Sequence, residues 1–396
     1  MTTKSTNILI VGGGTYGINT AIELQGRGYA VTLLEPGPIP HPDAASTDIS
    51  KVIRLDYGKD ELYLHMMAEA LPLWRQWNEE LGETIYHETG VLYFTLDGMQ
   101  ANDFEYESYL LLQKHGHPAE RLNSAEIRKR YPAWNADLYP DGYFNPQGGW
   151  AASGRVVTLL AERALQAGVH IVQNVGFKQL LETSDRVTGM LATDNKQYHA
   201  DQVIFCTGSW TPVLLPYLAD VMWPTAQAVF HFKAGQLSLY QPPQFPVWTA
   251  DVGKTGWYGF PAQNDGTLKI ANHGVGWQQD PRLPRQVPAE AEERFRAFLA
   301  ESLPGMAKAP KIFERLCFYC DTFDGDFWID HDPQRPGLLV SAGGSGHAFK
   351  FTPLLGRVTA DVVEGKPNPY ATRFAWRERG DLKAEEARAA GEGVRK

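Results

Sequence analysis

The residues best placed to do chemistry begin at position 12. Gly12-Gly13-Gly14-Thr15-Tyr16-Gly17 follows the apolar run Ile8-Leu9-Ile10-Val11 and opens a segment with helical spacing; a second apolar run, Val31-Thr32-Leu33-Leu34, ends in Glu35. A glycine-rich turn between strand and helix is built to hold a dinucleotide. Gly12 permits the tight turn, Gly14 lets the backbone approach a pyrophosphate, and Gly17 lets helix and strand pack closely. The free N–H groups at the helix start, with the helix dipole, favour the negative charge of phosphates. Glu35 stands where an acid accepts hydrogen bonds from an adenosine ribose, about twenty residues along. Such turns are also ordinary βα connections, but here strand, turn, helix and acid coincide in order.

Other candidates are scattered. Lys51 and Arg54 flank Val52 and Ile53, a spacing that puts both cations on one face of a helical turn. Cys317 and Cys320 form a C-x-x-C, the pattern of a redox pair or half a zinc site. No second pair follows, and neither His41 nor the other histidines show metal-ligand spacing, so no metal is expected. Gly343-Gly344-Ser345-Gly346 follows an apolar run and is either a plain turn or a loop whose N–H groups face a ligand.

The elements that must position these groups can be read coarsely. Helical spacing covers 61–81, most of 100–131, 155–168, 288–303 and 353–363. Residues 86–94 read as strand–turn–strand and 132–149 as loop. The apolar run 202–206 stops at Thr207-Gly208, so it can return to the N-terminal sheet and approach the cofactor from its carboxyl end. Residues 223–280 alternate and are rich in aromatics, as in antiparallel strands, and 317–330 is extended. The fold class is therefore α/β: a discontinuous Rossmann-type domain (1–85, 150–220, 315–375) and an α+β domain with an antiparallel sheet (86–149, 221–314), followed by a tail at 376–396.

Bulk properties exclude some classes. At 396 residues the chain is long enough for two domains. A net charge of -9 argues against nucleic acid or an anionic membrane as partner. No apolar run reaches the ~20 residues that span a bilayer. The first strand starts too early for a signal peptide, and the final Gly-Val-Arg-Lys carries no readable address. Three cysteines make no disulfide framework, and a reducing cytoplasmic home is expected.

Taken together, the opening fingerprint, Ser50-Lys51-Val52-Ile53-Arg54-Leu55-Asp56-Tyr57-Gly58, Cys317-Phe318-Tyr319 and Ser345-Gly346-His347-Ala348-Phe349-Lys350-Phe351 resemble the FAD-dependent amine oxidases of the sarcosine oxidase and fructosyl amino acid oxidase group, among the D-amino acid oxidase-like flavoproteins. Tyr258-Gly259-Phe260-Pro261, Leu268-Lys269-Ile270 and His273 add a weaker match. The resemblance spans nearly the whole chain. It implies an FAD domain and a substrate domain whose antiparallel sheet covers the flavin.

The resemblance also implies roles. FAD would contact Gly12, Gly14, Thr15, Tyr16, Gly17, Glu35, Ser46, Lys51, Val175, Thr207, Gly208, Trp210, Gly344, Gly346 and Lys350, with Cys317 joined to its 8α-methyl group. Lys269 would supply the cation near flavin N5 that serves the reaction with oxygen, which favours an oxidase over a dehydrogenase. Arg54 and Lys350 would hold a substrate carboxylate, Tyr258 and Tyr319 would line the cavity, and His273 would orient the amine. Lys51 stands where sarcosine oxidases carry arginine and matches the fructosyl amino acid branch. Trp210, Trp223, Trp257 and Phe260 imply a cavity larger than sarcosine needs. The implied reaction oxidises a secondary amine of an N-substituted amino acid to an imine, with oxygen reduced to hydrogen peroxide, in a monomer. The rivals are a flavin dehydrogenase with another acceptor and a non-catalytic flavin-binding subunit.

Overall fold

The computed structural model describes residues 6–389, so the end of the expected tail, 390–396, lies outside the described residues. β1 (Asn7–Val11), α1 (Thr15–Gly26) and β2 (Ala30–Glu35) form the opening unit. β1 is apolar and buried from Ile8 to Val11 because both faces of a parallel strand are covered. It pairs in parallel with β2 (Val11 opposite Leu34) and with Gln202–Phe205 (Val11 opposite Phe205). The six-stranded sheet adds Leu338–Ala342 and Trp328–His331 on one side and His170–Gln173 on the other, with only Trp328–His331 antiparallel. Ile8 and Ile10 face a core shared with α1, Ser153–Gln166 and Thr352–Glu364. Leu9 and Val11 face the opposite core, closed by the antiparallel strands Phe177–Glu182, Val187–Ala192 and Gln197–His199.

A second, nine-stranded sheet is built on the long antiparallel pair Met222–Lys233 and Lys311–Thr322. Its neighbours are antiparallel except where Val247–Ala250 runs parallel to Val91–Thr95. Strand alternation sorts its side chains. Leu268, Ile270, Leu316 and Phe318 enter an aromatic core under the helix Ala289–Ser302, whereas Ala271, Cys317, Tyr319 and Val229 gather on the other face. Lys269 and His231 are register partners on that face. No helix among the described residues is long and apolar enough to cross a membrane.

Several local expectations are corrected. Lys51–Arg54 is a strand (β3), not a helical turn; it pairs with Gly148–Ala151, and that pairing overrides the i,i+3 spacing. Residues 132–149 contain the strand Asp141–Asn145 and the start of Gly148–Ala151, and 100–131 includes the strand Glu120–Asn123 between two helices. Tyr86–His87 and Val91–Thr95 lie in different sheets and do not pair with each other. The long helix α2 (Glu61–Glu80) is where helical spacing placed it, with Asp60 capping its first turn through Leu62 and Tyr63.

Candidate active site

Where β1 meets α1 the backbone is drawn tight. Gly12 has φ +107°, and a Cβ there would lie 2.5 Å from the Cys206 carbonyl oxygen, so a side chain is excluded at the closest approach to the neighbouring strand. A Cβ at Gly17 would strike the Gly12 carbonyl, which fits its packing role. Gly14 caps α1 without a side-chain bond, leaving the first N–H groups of the helix open toward a cavity of about 360 Å³. Glu35 accepts from Gly13 N–H (2.5 Å) at the end of β2. Burial, partly offset by bonds from Gly13 and Gly37, pushes its carboxyl up to about 7. The buried Tyr16 hydroxyl has no partner. Open helix N–H groups, an acid at the ribose position and an unpartnered hydroxyl fit a dinucleotide.

Most residues expected to touch that cofactor line this cleft: Gly12, Gly14, Thr15, Tyr16, Glu35 and Ser46 from the N-terminal part, Lys51 from β3, Thr207, Gly208 and Trp210 after Gln202–Phe205, and Cys317, Gly344 and Gly346 beyond. Three stand apart. Gly17 acts through packing, Val175 sits beside the lining residue Gly176 and donates its N–H to Glu35 O, and Lys350 faces a second cavity.

That second cavity, about 80 Å³, shares a wall with the cleft: Lys51, Cys317, Tyr319, Gly346 and Phe349 line both. Cys317 Sγ lies 3.9 Å from Lys51 Nζ. Cys317 belongs to the cluster with Tyr319 and Val229, whereas Cys320 lies in the other core 3.9 Å from Met222 Sδ, its thiol pushed up to about 12 by burial. The two cysteines are free and serve different faces, so the C-x-x-C is not a dithiol pair here.

Arg54, Lys350, Tyr258, Tyr319 and His273 all line the second cavity. Arg54 and Lys350 both lie over the Tyr57 ring, at 4.7 and 5.2 Å from its centroid. Lys350 donates to Tyr57 Oη (3.0 Å) and His347 O (2.9 Å); burial, and then Arg54, hold its pKa well below that of an ordinary lysine. His273 Nδ1 meets Tyr319 Oη at 3.3 Å, and burial lowers its pKa against the pull of Glu385. Lys269 is buried just outside the cavity lining, 4.8 Å over the Phe260 ring, donating to Asp48 Oδ2 and Ser50 O at 2.6 Å each. Burial, then Lys51, outweigh Asp48 and lower its pKa to about 8.

Residues 7–362 match the family described as FAD dependent oxidoreductase (DAO). The chain belongs to this family. The oxidoreductase is 28% identical over 362 residues to monomeric sarcosine oxidase of Bacillus sp. (strain B-0618), covering 90% of this chain and 92% of that protein. It is also 28% identical over 370 residues to N-methyl-L-tryptophan oxidase of Yersinia pestis (strain Pestoides F), covering 92% and 96%. Among solved structures, the deglycating fructosamine oxidase of Aspergillus fumigatus (Amadoriase II) superposes with TM-score 0.84 at 27% identity over 99% of this chain and 95% of that one.

Two acids of the oxidoreductase join the site from positions that no motif marks, and two of the four expected aromatics lie outside it. Asp48 is buried between Lys269, Lys51 (3.6 Å) and His231 (3.5 Å). Burial raises its carboxyl, but the two lysines outweigh this and hold it well below the carboxylate range. Glu385 reaches back from the tail to Arg54 and to His273 Nε2 (2.9 Å). Neither acid sits in a pattern that spacing could flag. Trp257 does not line the cavity; alternation turns it away from Tyr258 to pack on Phe295 and Phe298, and Trp223 packs on the core holding Cys320. Trp210 lines the cofactor cleft, and Phe260 alone of the four faces the second cavity. Glu61, His65 and His115 bring ligand atoms within 4.8 Å of one another at the surface, where Glu61 already pairs with Lys114. Spacing gave no sign of this group because His115 comes from a different helix end.

Proposed function

We propose that this FAD-dependent oxidoreductase is an amine oxidase acting on the secondary amine of an N-substituted amino acid. The observation that carries the reading is the shared wall: the cleft proposed for the cofactor opens through Lys51, Cys317 and Tyr319 onto a cavity lined by Arg54 and Lys350. When bound, FAD would accept a hydride from the carbon next to nitrogen and pass the electrons to oxygen, yielding hydrogen peroxide. The protein's part is positioning and electrostatics. Arg54 and Lys350 are held over one tyrosine ring; Arg54 binds the carboxylate with charge-assisted bonds, Lys350 adds a donor that takes up charge as the carboxylate arrives, and together they fix the C–N bond against the wall. His273, kept neutral by burial, and Tyr319 orient an uncharged amine, so no strong base is needed. The imine product is released to water, which hydrolyses it to an amine and a carbonyl compound.

Lys269 supplies a fixed cation for the charge that develops on oxygen, where preorganised charge in a dry site has its largest effect. Cys317 would carry a thioether to the flavin, a reading supported by its lining of both cavities beside Lys51. The relatives' names favour N-methyl and fructosyl amino acids as substrates and the monomer as the working unit. A peroxide-coupled screen pairing N-methyl and N-fructosyl amino acids with the same amines lacking the carboxylate tests the reading. Peroxide from the acids alone supports it, and peroxide from neither series removes it.

A further inference from the structure

The segment after the helix Thr352–Glu364 does not leave the molecule. It returns across the second sheet and places Glu385 inside the site. One oxygen of Glu385 accepts from Arg54 and the other from His273 Nε2, so the carboxylate bridges two groups of the proposed substrate cavity. Its side chain is 4% exposed. Burial works against its charge, but Arg54 and His273 outweigh it and hold the carboxyl well below its usual range. The other Arg54 bond goes to the Asp56 carbonyl, so the guanidinium is committed to Glu385 and its own strand end.

We propose that Glu385 is the site's internal anion, occupying on Arg54 the position of the substrate's carboxylate, and that substrate binds by exchanging with it. The proposal rests on the reading of Arg54 and Lys350 as a carboxylate clamp. Three observations carry it. A carboxylate already sits on the clamp arginine, showing which chemistry that position accepts. A second carboxylate entering beside Glu385 would meet a like charge in a buried site, so the two exclude each other. The cavity left beside it is about 80 Å³ and is closed partly by Ala387 of the same segment, against the ~300–1,000 Å³ of ordinary ligand pockets.

The segment is held in a way that permits exchange. Residues 375–389 form no helix or strand. Up to Arg377 the segment is anchored, Trp376 N–H donating to Asp330 and Arg377 to both oxygens of Asp324. Beyond it the ties are Arg388 to Asp321 (2.7 and 2.8 Å), to Gly274 O (2.9 Å) and to Val275 O, Glu386 accepting from Lys59 N–H, and main-chain bonds from Lys383 to Phe323 and from Ala389 to His273. Ala387 and Ala389 are its buried apolar residues beyond position 376. Beyond Arg377 the strap is held by polar links rather than by an apolar core, and such a segment opens more readily than a core element. Glu385 thereby becomes a specificity residue: an amine without a carboxylate cannot replace it on Arg54.

The test uses the FAD-loaded protein, an unreactive carboxylate (benzoate) and its neutral counterpart (benzamide), with binding read from the flavin visible spectrum. Glu385→Gln removes the competing charge; Arg388→Ala loosens the strap, leaving Arg54 and Lys350 in place but uncovering the Tyr319 ring that Arg388 lies over at 5.2 Å. The expected result is benzoate binding at least tenfold tighter in both variants, with benzamide unchanged. Benzoate binding that depends on Arg54 but is unchanged or weaker in both variants would overturn the exchange while leaving the clamp. Benzoate binding that ignores Arg54→Ala, or no binding in any form, would remove the clamp and the exchange with it.

Discussion

Lys269 has its counter-ion built into the fold. Asp48 at 2.6 Å keeps a fully buried ammonium ionised, while burial and Lys51 bring its pKa down to about 8. The sign of the consequence is fixed: below that value the cation is present, and above it the site loses the charge. Oxygen reoxidation of the reduced enzyme should therefore slow as pH rises through about 8, as read by stopped-flow mixing. Lys269→Met should slow it roughly 10²–10³-fold, the cost of removing one preorganised charge or donor, and abolish that pH dependence. Asp48→Asn should slow it at neutral pH, because the lysine loses the partner that favours its charged form. Cys317→Ser should leave FAD extractable by acid, whereas the unaltered protein should keep its colour in the precipitate. Flavin freed equally from both would contradict the thioether. Lys269 and Cys317 could be named from the sequence because they sit in motifs; Asp48 could not, since one acid in a loop is silent until folding sets two lysines beside it.

At the scale of elements, legibility followed the strength of the local signal. β1, α1 and β2 carry their turn chemistry within one short stretch, and α2 and Ser153–Gln166 carry helical periodicity, so all five were readable. Asp141–Asn145 was not, because its glycine and flanking prolines look like loop. A Cβ at Gly142 would strike the Tyr93 carbonyl, so the glycine serves the close approach of Val91–Thr95, a partner distant in sequence. β3 misled in the same way: its four residues are too few to separate helical from strand spacing, and Gly148–Ala151 decides. Helix packing yields its own test. A Cβ at Gly356 in Thr352–Glu364 would meet the Asn19 backbone of α1. Gly356→Ala should cost roughly 1–3 kcal/mol through overpacking, more than the ~1 kcal/mol that alanine gains in a helix. Thermal unfolding of the variant checks this, and an unchanged or raised Tm would contradict it.

For the whole molecule, the proposed function depends on two sheets meeting at one wall. The parallel sheet brings the carboxyl ends of β1, Gln202–Phe205 and Leu338–Ala342 to the cofactor cleft, as open α/β sheets do. The second sheet delivers Cys317 and Tyr319 from its longest antiparallel pair, and β3 inserts Lys51 and Arg54 between the two. The sequence announced the cofactor and, through family resemblance, the cations. It could not announce the return of Glu385, since that contact spans 331 residues and follows no periodicity. Arg54→Ala should raise KM for carboxylate substrates far more than it changes retention of FAD, because Arg54 lines only the second cavity. The most direct test of the account is anaerobic mixing of the FAD-loaded enzyme with an N-methyl amino acid, followed at the visible flavin band. The account predicts bleaching by the amino acid and none by the same amine without its carboxylate. No bleaching by any N-methyl or N-fructosyl amino acid, or equal bleaching by the decarboxylated amine, would contradict it.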